Sequence, residues 1–448
     1  MNVDELALIE GMYDRIKRLS SWHCRIEGYY EGSSRVRDLG VAIPPELQRV
    51  QTVVSWPGIA VDALEERLDW LGWTNGDGYG LDGVYAANRL ATASCDVHLD
   101  ALIFGLSFVA VIPQGDGSVL VRPQSPKNCT GRFSADGSRL DAGLVVQQTC
   151  DSEVVEAELL LPDVIVQVER RGSREWVETG RIVNSLGVVP LVPIVNRRRT
   201  SRIDGRSEIT RSIRAYTDEA VRTLLGQSVN RDFYAYPQRW VTGVSADEFS
   251  QPGWVLSMAS VWAVDKDDDG DTPNVGSFPV NSPTPYSDQM RLLAQLTAGE
   301  AAVPERYFGF ITSNPPSGEA LAAEESRLVK RAERRQTSFG QGWLSVGFLA
   351  AKALDSSVDE AAFFGDVGLR WRDASTPTRA ATADAVTKLV GVGILPADSR
   401  TVLEMLGLDD VQVEAVMRHR AESSDPLAAL AGAISVSYTH LKLPTTDL

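Results

Sequence analysis

Three groups of residues in this 448-residue chain have types and spacings that could do chemistry. Cys95, His98, Cys129 and Cys150 could supply four zinc ligands, but zinc sites draw their ligands from close pairs, and these spacings match no common site. Cysteine is also an ordinary core residue. Asp265-Lys266-Asp267-Asp268-Asp269-Gly270 opens like a calcium loop, yet its twelfth position, where a bidentate Glu belongs, is Gly276, and no helical pattern flanks it. Asp265, Asp267, Asp268 and Asp269 therefore read as a solvated hairpin tip. Gly78-Tyr79-Gly80-Leu81-Asp82-Gly83 fits G-x-G-x-x-G, with Asp100 near the distance of a ribose-binding acid. That site needs a buried parallel strand running into the first glycine, whereas Thr74-Asn75-Gly76-Asp77 is a turn signal and no βαβ alternation follows. Histidine is scarce, at 4 residues (His23, His98, His419, His440), and P-loop, H-E-x-x-H and G-x-S-x-G patterns are missing. No catalytic residue, cofactor or metal ligand is assigned, and the expectation is a protein that is not an enzyme.

Charge is patterned more informatively. A loop, Val303-Pro304-Glu305-Arg306-Tyr307-Phe308-Gly309-Phe310 to Pro316, runs into Ser317-Gly318-Glu319-Ala320-Leu321 and a long helix. Pro315 and Pro316 stop what precedes, Ser317 is placed to cap the free N–H groups, and Glu319 sits near the positive end of the macrodipole. Leu321, Leu328, Ala332, Phe339, Trp343, Val346, Ala350 and Ala353 recur at helical spacing on one face, so the helix continues to Leu354. Its middle carries Arg327, Lys330, Arg331, Arg334 and Arg335, stacking like charges at i, i+4 (327/331, 330/334, 331/335), each costing a few tenths of a kcal/mol. The face is either solvated or pressed on something acidic, such as another copy of the chain. Arg197, Arg198 and Arg199, with Arg202 and Arg206, form the other dense basic cluster, either a solvated loop or a contact to DNA or an acidic neighbour.

The elements around these charges must fill more than one core, and length predicts about three structural units. The net charge is −16, from 60 acidic and 44 basic residues, which argues against tight sequence-independent DNA binding. Cys24, Cys95, Cys129 and Cys150 give no disulfide framework, so a reducing compartment fits. Asp4, Glu5 and Glu10 stand where a signal peptide would be basic and then apolar, and no apolar run reaches the ~18 residues of a membrane span. The expectation is a soluble chain made in a cytoplasm, with no membrane partner.

The pattern from Asn2 to about Leu47 is helical and then broken, with a stop at Pro44-Pro45, and helical patterns follow over Val53 to Leu68 and Ala86 to Leu102. The period then changes to two over Leu106–Pro113, Val119–Pro123, Leu144–Gln148, Val154–Leu161, Val164–Arg170 and Trp176–Ile182, which predicts an antiparallel sheet closed by Pro190–Ile194. A helix from Ser207 to Tyr236, short strands over Arg239–Val244, Trp254–Met258 and Val261–Val264, and a helix from Tyr286 to Val303 lead to the loop and the long helix. Val367–Arg372 reads as a returning strand, followed by helices over Arg379–Val392, Asp398–Leu406 and Asp410–Ser423. The class is α+β. Residues 436–448 are similar to translated adapter or vector sequence and are set aside, with the expectation that the natural C-terminus is missing.

This order of elements resembles the portal (head-to-tail connector) proteins of tailed bacteriophages, siphophage type. The resemblance spans Met1 to Ser435 and is best over 88–111, 193–240, 303–339 and 394–420, strongest at Ser317-Gly318 and its helix. It implies an α/β wing (1–206, with 317–375 as long helix and returning strand), stem helices (207–236 and 286–303), a small β-containing clip (237–285), a tunnel loop (304–316) and a helical crown (376–435) that is truncated. It also implies a closed ring of about twelve copies at one capsid vertex. Double-stranded DNA would pass through it, with Arg306, Tyr307, Phe308 and Asn314 facing the DNA. Arg327, Lys330, Arg331, Arg334 and Arg335 would face the next subunit. The implied partners are the terminase large subunit, major capsid and scaffold proteins and a head-completion or adaptor protein, in the virion and, during assembly, the host cytoplasm. A mainly acidic channel lets DNA slide where a basic one would trap phosphates, so the net charge agrees. The alternatives are another virion or head-assembly structural protein, or a phage nucleotide- or DNA-processing enzyme using Gly78 to Gly83.

Overall fold

Asn2 caps the first helix by accepting from the Glu5 N–H while the Glu5 carboxylate accepts from the Asn2 N–H, a reciprocal box that starts α1 (Val3–Tyr30). The computed structural model describes the chain except residues 35–51, 138, 149–153, 173–174, 235–238, 243–273, 278–281, 311–316, 376–378, 409 and 425–448. The chain divides into two units, Met1–Ala374 and Ser375–Leu448, rather than three. In the first, one long helix joins strands from separate sheets and several helices in a single apolar core.

After α2 (Trp56–Glu65) comes β1 (Trp70–Thr74), then α3 (Leu81–Ala87) and α4 (Leu90–Phe104). The β-rich half holds two antiparallel sheets where one was expected. Strands β2 (Leu106–Pro113), β3 (Val119–Gln124) and β9 (Leu191–Val195) make a three-stranded sheet ordered β3-β2-β9. A five-stranded meander follows chain order through β4 (Cys129–Phe133), β5 (Leu140–Gln148), β6 (Val154–Leu160), β7 (Val164–Arg171) and β8 (Val177–Val183). Alternation along β2 explains the layering: Val109 and Val111 face the core shared with the helices, while Phe108 and Ala110 face the five-stranded sheet. The meander's other face is covered by Ile9, Met12, Tyr13 and Ile16 of α1.

Two helices, α5 (Arg211–Tyr234) and α6 (Thr284–Ala301), pack on each other and flank a hairpin of β10 (Arg239–Thr242) and β11 (Asn274–Ser277). The expected strands at 254–258 and 261–264, and the aspartates Asp265, Asp267, Asp268 and Asp269, lie outside the described residues. Next come a short 3-10 turn, Glu305–Phe308, and α7 (Gly318–Leu354), capped as expected by Ser317, whose side chain accepts from the Ala320 N–H at 3.3 Å. α8 (Glu360–Asp366) and β12 (Gly368–Trp371) return the chain, and β12 pairs antiparallel with β1. The second unit contains α9 (Arg379–Gly391), α10 (Arg400–Met405) and α11 (Asp410–Ser424).

The buried face of α7 is the expected one: Leu328, Ala332, Phe339, Trp343, Val346 and Ala350 are inaccessible to solvent. It is locked by an aromatic clamp. Trp343 stacks on Trp70 with ring centroids 4.2 Å apart, its carbonyl accepts from the Trp73 indole at 2.9 Å, and its own indole donates to His98 Nε2 at 2.8 Å. His98 is thus a core residue, and burial pushes its pKa down to about 3. Cys129 is buried in the β core, Cys150 lies outside the described residues, and no cluster with metal-ligand character occurs among the described residues. The glycine motif fails as a nucleotide site for a topological reason. The strand before it, β1, is antiparallel to β12, so no parallel strand feeds Gly78. No helix among the described residues is long and apolar enough to cross a membrane.

Candidate functional site

The two basic groups read separately from the sequence come together in one place. Residues 197–206 form the loop between β9 and the approach to α5, and Asn196 pins that loop. Asn196 is fully buried; its backbone N–H donates to the Gly105 carbonyl (3.0 Å), and its side-chain amide donates to the Arg206 carbonyl (2.8 Å) and to the Glu208 carboxylate (3.1 Å). Gly205 sits at φ +71 with its α-carbon against the carbonyls of Gly105 and Asn196, where a side chain would have no room. The loop is therefore folded back against α7.

Between them lies a basin of about 570 Å³ lined by Arg197, Arg198, Arg199, Arg206, Arg327, Lys330, Arg331, Arg334 and Arg335, with Glu300 and Ala302. Its floor is a charge cluster that no sequence pattern announces. Glu208, 3 % exposed, accepts from Arg335 at 2.7 Å, from Arg331 in a short contact, and from Arg197 at 3.3 Å. Burial alone would raise the Glu208 carboxyl, but Arg331, Arg335 and Arg197 outweigh it and hold its pKa below the ordinary value. An acid compensating Arg331 and Arg335 is thus supplied by the same chain. A lone Glu just ahead of a helix looks like a helix-start residue, so its role is invisible without the fold. The remaining cations are held loosely or not at all. Lys330 pairs with Glu333 on its own helix (2.8 Å), and Arg327 and Arg198 donate to the carbonyls of Gly299 (3.1 Å) and Gly137 (2.6 Å). Arg199, Arg206 and Arg334 have no ion pair among the described residues.

The loop before α7 is tethered at its start. Arg306 pairs with Glu324 at 2.9 Å and closely with Glu325. The Tyr307 hydroxyl donates to Glu325 at 3.3 Å, and Arg67 pairs with the same carboxylate at 2.9 Å. Phe308 takes a different place from the DNA-facing one expected of it. Only 6 % exposed, it meets Trp56 edge to face at 6.0 Å in the chain's own core, because Gly309 at φ +87 turns the backbone directly after it. Asn314 lies outside the described residues.

The chain is similar to several known proteins. Portal proteins of Mycobacterium phages L5 and D29 are each 29 % identical over 394 residues, covering 83 % of this chain and 79 % of theirs. Among solved structures, a chain in the neck of an empty gene transfer agent (GTA) particle computed with C6 symmetry aligns with a TM-score of 0.49 at 11 % identity, over 83 % of this chain and 92 % of that one. The neck of the native GTA particle computed with C12 symmetry aligns at 0.49 and 11 %, over 79 % and 91 %. The family model for phage portal proteins, SPP1 Gp6-like, matches residues 25–425. That family is structural rather than enzymatic, in keeping with the absence of a catalytic constellation from the sequence patterns. With nearly its whole length inside that match, the chain belongs to the SPP1 Gp6-like phage portal proteins.

Proposed function

We propose that this portal protein forms a closed ring at one vertex of the capsid. The ring is the conduit for double-stranded DNA during packaging and ejection, and it docks the terminase large subunit during packaging and a head-completion or adaptor protein afterwards. Residues 1–206 and 317–375 act as its wing, 207–236 and 286–303 as stem helices, 237–285 as clip, 304–316 as tunnel loop and 376–435 as crown. Major capsid and scaffold proteins surround it, in the host cytoplasm during assembly and then in the virion.

The observation that carries this is the family match over residues 25–425, with the helix–hairpin–helix–loop–long helix order inside it. The tether of Arg306 and Tyr307 to the first turns of α7 supports a loop held at a defined place rather than a free tail. Phe308, being a core anchor, is left out of the DNA-facing set, which keeps Arg306, Tyr307 and Asn314. Negative-stain electron microscopy with native mass spectrometry on the chain ending at Ser435 tests the ring: rings with a central channel are expected, and a compact dimer would overturn it. Deleting Ile311 to Asn314 spares the anchor, and is expected to leave rings intact while heads fail to fill. Normal DNA filling of heads carrying that deletion would remove the loop from the conduit.

A further inference from the structure

The basin holds more positive charge than its own chain neutralises. Nine of its eleven lining residues are basic, and the carboxylates within reach are Glu208, Glu300 and, through Lys330, Glu333. Arg335 is 8 % exposed, lines the basin, and keeps a buried Nε with no hydrogen-bond partner although its Nη2 is held by Glu208. Exposed Arg334 and Arg199, neither with an ion pair among the described residues, leave the rim of the basin without the anions that its charge calls for.

The reverse imbalance occurs at the end of α2. Asp62, Glu65, Glu66 and Asp69 crowd there with Asp96 of α4, and burial together with Asp69, Asp62 and Glu66 pushes the Glu65 carboxyl up to about 7. Asp69 pairs with Arg372 at 3.1 Å and Asp62 accepts from Tyr30 at 2.9 Å, but Glu66 and Asp96 are exposed and have no cation among the described residues.

The two patches lie on different flanks of α7. Arg327, Arg331 and Arg335 recur every fourth residue on one flank. Gln336, about 100° further around the helix, donates to the carbonyls of Arg67 and Arg372, beside the acidic end of α2. One molecule therefore cannot bring its own acids into its own basin. A second copy, rotated about a ring axis, can.

We propose that the basin is the socket of a head-to-tail contact between copies, entered by the carboxylates at the end of α2 of the next copy, Glu66 and Asp96 foremost. The contact rests on the ring reading above and names its electrostatic complement. A heterologous interface of this kind closes when the rotation divides the circle. Duplex DNA is the weaker occupant. A conduit must release phosphates as readily as it meets them, and so dense a group of cations would hold them.

A charge-swap series tests this, with native mass spectrometry and electron microscopy as readouts and thermal melting as the fold control. Arg331 is left untouched because Glu208 holds it. The pair Arg199→Glu with Arg334→Glu is expected to lower the ring fraction about tenfold at physiological salt, since like charges then face each other across the contact. Glu66→Lys with Asp96→Lys should do the same, and the four substitutions together should restore rings. Rings that form equally in all four proteins overturn the contact and leave the ring reading standing. An unaltered chain that makes no ring under any condition removes the ring reading and this contact with it. Variants that assemble normally but lose salt-sensitive retention of duplex DNA overturn the contact in favour of a phosphate site.

Discussion

Glu208 stands between three guanidiniums that would otherwise repel one another, and its removal is felt by all of them. Breaking a buried ion pair from one side leaves an uncompensated charge, which costs about 3–5 kcal/mol, far more than the pair itself contributes. Glu208→Gln keeps the shape and part of the hydrogen bonding, yet should lower stability by about 3 kcal/mol, seen as a clear fall in melting temperature. An unchanged melt would mean that water screens the cluster. His98 offers a second test at this scale. Its pKa, depressed by burial from the ordinary 6.5 to about 3, means that the unfolded chain takes up the proton first. The stability tied to neutral His98 is complete above about pH 6.5 and is lost as the pH falls toward 3. The Glu208 carboxyl is held below its ordinary pKa by Arg331, Arg335 and Arg197 against the effect of burial. His98→Gln keeps an acceptor for the Trp343 indole and abolishes the titration. Denaturant unfolding followed by tryptophan fluorescence should therefore lose part of its pH slope between 6.5 and 5, while His23, whose pKa burial likewise pushes down to about 4, keeps its own share. An unaltered slope would place the titration elsewhere.

At the scale of elements, α7 carries three interior glycines that a helix would ordinarily avoid, since each costs about 1 kcal/mol against alanine. Gly340, Gly342 and Gly347 sit where Leu369, Ile194 and Trp73 press on the helix, so a side chain there would collide with β12, β9 or β1. Gly342→Ala gains helix propensity and meets Ile194, with the Pro193 carbonyl next to it. Overpacking of about 1–3 kcal/mol should win, and denaturant unfolding should show net destabilisation. A stabilised variant would show that β9 can yield.

Much of α7 was legible because a single period of 3.6, a serine cap and two preceding prolines are all local signals. β1 was missed because five residues between a helix and a turn acquire strand character only from β12, almost three hundred residues later. The single helix expected over 86–102 is interrupted at Arg89, at φ +51. That break is set by Asn88, which donates to the Val119 carbonyl and accepts from the Val121 N–H, partners that no local pattern announces. Alternation likewise identified strands but not partners, so one expected sheet became two. In the site, both basic groups were visible as charge density. Their union and the acid beneath them were not, because Arg197, Glu208 and Arg331 meet only when residues 197–206 fold back on α7.

Taken as a whole, the molecule is acidic by sixteen charges yet concentrates nine cations around one basin. Sequestering positive charge in one place and leaving the rest of the surface negative keeps copies apart except in the one orientation that joins unlike patches. The long helix adds a mechanical consequence. From Phe339, inside the aromatic clamp, to Gly318 the helix extends about 30 Å, at about 1.5 Å per residue. It is held along that length as well as at the clamp, because Leu328 and Ala332 are fully buried and Glu325 pairs with Arg67 at 2.9 Å, so only about its first two turns project beyond the anchored part. The start of the loop is thus carried at a fixed height over the core, braced where the chain is proposed to meet its cargo.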